Sequence, residues 1–212
     1  MSLRIFGRYV SVAVLAALSA LPSGVLADDG ATSPSATLPT PADPSSGSRD
    51  ARRDRLFEAL RSARSEAAAR AAESAIWQMW MQAPDTETGR LLAEAMRRRE
   101  SYDFAGAREL LDEAVARAPN YAEAYNQRGF VRFLQDDDDG ALEDVDRAIA
   151  LEPRHFAAMA GRALILMRQG RAELAQQQLR AALAIDPFLK ERALLAPSPE
   201  NPPLAPRPGV DL

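Results

Sequence analysis

Cysteine is absent from this 212-residue sequence, and histidine occurs once. The first absence excludes disulfide frameworks, thiolate zinc sites, iron–sulfur clusters and cysteine nucleophiles. The second excludes a multi-histidine metal centre within one chain. Aromatic residues make up only 6% of the sequence, although 47% of it is hydrophobic. Alanine and leucine carry most of that apolar content, which favours helices. It argues against a β-sandwich or barrel, which would be rich in Val, Ile, Thr and aromatics. Basic charge is not in excess either. Against 26 Lys and Arg stand 30 Asp and Glu, for a formal net charge of −4. No nucleic-acid partner is therefore expected, and no cofactor is expected.

The two ends read as something other than fold. Arg4 and Arg8 precede an uncharged run from Tyr9 to Leu21, broken by Pro22 and Gly24 and followed by the small-residue site around Ala27. This is the pattern of a secretory signal peptide over residues 1–27, and it implies a periplasmic or secreted protein. The run is short for a transmembrane helix; an uncleaved membrane anchor is the alternative, and membrane contact is expected only in that case. Residues 28–49 are rich in Ser, Thr, Pro, Ala, Asp and Gly and read as a disordered tether. Six prolines between Pro197 and Pro208 exclude helix from the 197–212 tail.

Between the ends lies a repeat. Pro119, Pro153 and Pro187 are spaced 34 residues apart, and each closes a similar segment. Aligned on the prolines, segments 86–119, 120–153 and 154–187 place Ala107, Ala141 and Ala175 in register. The same alignment superposes Leu111, Val145 and Leu179, and Ala114, Ala148 and Ala182. Small residues at fixed places let two helices approach closely, and the apolar positions recur at helical spacing. Each proline ends a second helix.

This pattern resembles the tetratricopeptide repeat, a 34-residue helix–turn–helix unit. The first-helix pairs Leu91/Ala95, Tyr125/Gly129 and Met159/Ala163 fit it, while Arg98, Arg132 and Leu166 stand where the family carries an aromatic. The resemblance implies an all-α, right-handed superhelical solenoid of three helix pairs. Residues 50–85 read as a degenerate N-terminal helix pair stacked on the first repeat. Trp77 and Trp80, three apart on one helix face, read as a core or cap anchor. Residues 188–196 read as a short capping helix over the last repeat.

In such an architecture the first helices line an inner face. Its expected partner-binding residues are Leu92, Met96 and Arg99; Glu123, Asn126, Gln127, Phe130 and Phe133; and Leu164 and Met167. An apolar groove with Met and Phe suits an amphipathic helix or an extended apolar segment of an unidentified protein or peptide. Two alternatives stand beside this. In one, Phe130, Phe133 and Leu164 are plain core; in the other, residues 51–65 or the C-terminal segment fill the groove. The positions at which some family members clamp a terminal carboxylate hold Leu92, Met96, Gln127, Ala157 and Gly161, none cationic, so that mode is not expected.

Two features invite a site and receive plainer readings. The run Asp136 to Asp139 before Gly140 lacks the alternate acidic spacing of a calcium loop, and it falls where a turn and a helix N-cap are required. His155 has no recognisable nucleophile or acid beside it in sequence and reads as a packing or surface residue at a repeat boundary. With no catalytic constellation visible, the sequence reads as a non-enzymatic scaffold or adaptor of the cell envelope. A membrane-tethered structural spacer and a carboxylate-based hydrolase are the alternatives.

Overall fold

The computed structural model describes residues 44–197. The expected leader, residues 28–43 of the tether and the tail from residue 198 lie outside the described residues. The chain divides into two compact units, 1–55 and 56–212; the first contributes the beginning of one helix to the described residues. All described regular structure is helical: α1 (Pro44–Arg61), α2 (Glu66–Trp80), α3 (Thr86–Glu100), α4 (Phe104–Arg117), α5 (Ala122–Leu134), α6 (Asp138–Leu151), α7 (Phe156–Arg168), α8 (Ala172–Ile185) and a 3-10 turn (Lys190–Leu194). Among the described residues, no helix is long and apolar enough to cross a membrane.

The helix pairs α3–α4, α5–α6 and α7–α8 pack closely, and each stacks on the next. The in-register small residues make that approach possible: Ala107, Ala141, Ala175, Ala114, Ala148 and Ala182 are all fully buried. Gly129 marks the closest place. A Cβ there would lie 3.1 Å from Val145 Cγ1 and 3.2 Å from the Ala141 carbonyl oxygen. The equivalent Ala95 and Ala163 are equally buried. The missing aromatics are replaced by guanidinium groups: Arg132 Nη1 donates to the Gly140 carbonyl (2.9 Å), and Arg98 Nη1 donates to Asp103 (3.0 Å). Gly106 and Gly140, in register, leave space for these arginine tips.

Between the helices of each pair, the second residue after the first helix turns left-handed: Tyr102 (φ 63°), Asp136 (φ 61°) and Gly170 (φ 75°), again 34 apart. Only the third is the residue that takes this conformation without steric cost. The next residue caps the second helix in two repeats. Asp103 accepts from Gly106 N–H (3.0 Å), and Asp137 accepts from Gly140 N–H (3.1 Å). Neighbouring repeats are also tied together by equivalent arginines. Arg128 donates to Asp112 and Asp144, while Arg162 donates to Asp146 and Gln178.

Three expectations need correction. First, α1 begins at Pro44, so residues 44–49 are helix rather than tether; proline suits a first helical position, where its absent N–H has no intrahelical acceptor to lose. Second, α1 and α2 do not form a close-packed repeat pair on the first repeat. Phe57 and Leu60 of α1 and Ala69, Ala72, Ile76 and Trp80 of α2 share one core with Phe156 and Ala160 of α7, Ala182 of α8, and Leu189. The pair therefore serves the third repeat. Third, the C-terminal cap is a 3-10 turn in which Leu189 is buried and Leu194 remains 41% exposed.

Candidate functional site

The first helices of the three pairs, α3, α5 and α7, carry all ten side chains expected to meet a partner, and the structure sorts them into two groups. Leu92, Arg99, Glu123, Asn126 and Gln127 are buried. Met96, Phe130, Phe133, Leu164 and Met167 are half-buried. Leu92 is core, packed with Ala95, Ala107, Leu111 and Val131. Phe130 and Phe133 are not simply interior either: Arg99 lies over Phe130 (5.2 Å) and Arg168 over Phe133 (3.8 Å).

The buried polar group forms one network. Arg99 Nη1 donates to Gln127 Oε1 (2.5 Å), and Gln127 Nε2 donates to Glu123 Oε1 (2.5 Å). Asn126 Nδ2 also donates to Glu123 (3.2 Å). His155 completes it from the N-terminus of α7. Its Nδ1 accepts from Ala158 N–H (3.3 Å), which puts the ring proton on Nε2, where it faces Glu123 Oε2 at 3.0 Å. Each member satisfies another, as buried polar groups must. Burial pulls the Arg99 guanidinium below its usual pKa range.

The lid on this network is α2. The indole of Trp80 stacks on His155 (centroids 4.0 Å apart, planes 15° apart), and Trp77 meets the same ring edge-on. The Tyr121 hydroxyl donates to the Trp80 carbonyl oxygen (2.8 Å), and burial raises that phenol's pKa. At the other end of α2, Glu66 pairs with Arg192 of the 3-10 turn (3.3 Å). A 15-residue helix is about 22 Å long, so α2 crosses from the 3-10 turn to the start of α5 over the N-terminal end of α7. Part of the inner face is therefore self-occupied. The occupant is α2, with Phe57 and Leu60, rather than residues 51–65 alone or the C-terminal segment.

The reading of Trp77 and Trp80 as an anchor holds, with Trp80 7% exposed. His155 is a packing residue that also caps α7, which its sequence position alone did not reveal. The one available signal was register, because Tyr121 occupies the equivalent place before α5. The Asp136–Asp139 run behaves as turn and cap: Asp137 caps α6, Arg168 pairs with Asp136 and Asp138, and Gln169 donates to Asp139. Asp85, the cap of α3, is held down to about 2 by the hydroxyl and amide of Thr88.

No protein-family model matches the chain. A TPR repeat-containing protein of Rhizobium etli is 31% identical over 121 residues, 57% of this chain and 59% of that protein. Tetratricopeptide repeat protein 36 of Xenopus tropicalis is 42% identical over 69 residues, 32% of this chain and 33% of that protein. The chain thus spans less than two thirds of either relative. Among solved structures, the first TPR of Spaghetti (RPAP3), bound to an HSP90 peptide, aligns with a TM-score of 0.49 at 16% identity, covering 52% of this chain and 88% of that one. MamA aligns with a TM-score of 0.46 at 24% identity, covering 55% and 67%. Three helix pairs in a 34-residue register make an all-α solenoid, and the chain is similar in sequence to proteins that carry the tetratricopeptide repeat.

Proposed function

We propose that this protein is a non-catalytic scaffold or adaptor that holds a helical or extended segment of a partner protein against the open part of its inner face. The observation that carries the reading is that Met96, Phe130, Phe133, Leu164 and Met167 stay half-exposed on α3, α5 and α7 while the helix pairs are already closed by their small residues. Apolar and aromatic side chains left partly exposed on well-packed helices offer a partner buried area without needing to be reorganised first. A non-catalytic role fits the state of the carboxylates described above. Asp103 and Asp137 cap helices, and Asp112, Asp144 and Asp146 hold arginines. The signal-like pattern of residues 1–27 supports a cell-envelope setting, periplasmic or secreted, with a membrane tether only where that segment is retained.

Site-specific photocrosslinking in the native compartment tests this. A crosslinker in place of Phe130 should capture one defined protein, and Met96→Asp should abolish the capture. A crosslinker in place of Arg180, exposed on α8, should not capture it. The same products from both positions would contradict the reading.

A further inference from the structure

The face by which α2 attaches carries an acid where an apolar residue belongs. Ala69, Ala72, Ile76 and Trp80 form its buried stripe, and Glu73 lies inside that stripe, four residues after Ala69 and three before Ile76. Opposite it stands another acid. Asp186, the residue that ends α8, is fully buried. Its Oδ1 accepts from Phe188 N–H (2.9 Å), but its enclosed Oδ2 receives no hydrogen bond. The ionisable groups acting on it are all acidic: Glu73 of α2 within hydrogen-bonding reach, and Glu191 of the 3-10 turn. Of the two cations of that turn, Arg192 is engaged with Glu66 and Lys190 is exposed.

A buried carboxylate without a donor is costly. Two facing carboxyls can be satisfied together only when they share a proton. Burial and Glu73 accordingly push the Asp186 carboxyl up to about 7. α2 therefore fits its seat by shape and apolar contact but meets it with the wrong charge. A cation at the Glu73 position would supply the missing donor and the opposite sign.

We propose that the seat of α2 is a second recognition site, for an amphipathic helix of a partner protein that carries lysine or arginine where α2 carries Glu73, with α2 as its exchangeable resident occupant. This rests on the scaffold reading, in which inner-face surface is used to hold partners. The ligand is recognisable from α2 itself: small residues at two successive turns, then a branched aliphatic, then a tryptophan on one face, with a basic residue between the small pair and the aliphatic.

Two experiments on the full chain test it. In the first, Glu73→Lys should slow hydrogen exchange of the α2 amides at least tenfold at pH 7.5, and adding Asp186→Asn should cancel the gain. No gain, or a gain that survives Asp186→Asn, overturns the proposal. In the second, synthetic peptides spanning residues 64–82 are added to the unaltered chain, one native and one with Glu73→Lys. The lysine peptide should release α2, read as faster exchange of its amides, at a concentration at least tenfold lower than the native peptide. Equal potency, or unchanged α2 exchange with both peptides at millimolar concentration, overturns it. Neither arm involves Met96 or Phe130, so failure here and failure of the crosslink at Phe130 are separate results.

Discussion

Beneath α2 the inner face is polar and sealed; beyond α2 it is apolar and half-open. The sealed part holds Glu123, Asn126, Gln127 and His155, all buried, whereas the open part holds Met96, Phe130, Phe133, Leu164 and Met167, all half-exposed. This inverts the ordinary distribution, in which apolar side chains go inside first. The inversion is possible because the buried polar groups satisfy one another, from Arg99 through Gln127 and Glu123 to His155. Trp80 then closes the network as a flat apolar cover. The close approach of the helices rests instead on Ala107, Ala114 and their equivalents. The open apolar residues are thus less tied to stability, and that leaves them free for recognition.

The comparison can be broken first at its cover. Trp80→Ala removes contacts to Phe57, His155 and Phe156 and should cost about 3–5 kcal/mol in urea unfolding, with loss of α2 exchange protection. Glu123→Ala strands the donors of His155, Gln127 and Asn126. It should cost about 2–3 kcal/mol, measured the same way. Phe130→Ala, on the open side, should cost only about 1 kcal/mol while abolishing partner capture. A loss as large as that of Trp80→Ala would erase the distinction between the halves.

The acid pair adds a pH signature. Asp186 is raised from 3.8 to about 7 by burial and Glu73, so the folded state holds a proton that the unfolded chain has released. Stability should therefore fall as pH rises from about 4 to about 7 and level off above. The drop should be about 1–2 kcal/mol, moderated because Glu73 is only half-buried. Glu73→Gln should shrink the drop and leave the part that burial of Asp186 causes. The smallest effect lies outside both halves. Tyr102, left-handed and 77% exposed, should accept Tyr102→Gly with a gain of about 1 kcal/mol in melting experiments.

The repeat was legible in the sequence because its constraints are local and recurrent. A small residue where two helices touch is needed three times, and Ala107, Ala141 and Ala175 announce it. The position of α2 was not legible. An apolar stripe such as Ala69, Ala72, Ile76 and Trp80 says that a helix needs cover, but not which repeat supplies it. Chain proximity favoured the first repeat, whereas Phe156 and Ala160 of the third, with Leu189 just beyond it, supply the contact. Half of the expected lining is buried. Register placed Glu123, Asn126 and Gln127 on the outward side, but Gln127 and Glu123 find partners 28 and 32 residues away in sequence, and Asn126 bonds Glu123. The cap role of His155 escaped because histidine is not among the residues usually found before a helix.

The placement of α2 on the third repeat underlies both halves of the comparison, and it can be measured directly because the chain has no native cysteine. Glu66 and Arg192 meet side chain to side chain at 3.3 Å. Glu66→Cys with Arg192→Cys should close an intramolecular link with a short bismaleimide in the folded monomer. Glu66→Cys with Arg108→Cys, on α4 of the first repeat, should not. A link to position 108 in place of 192 would contradict the account.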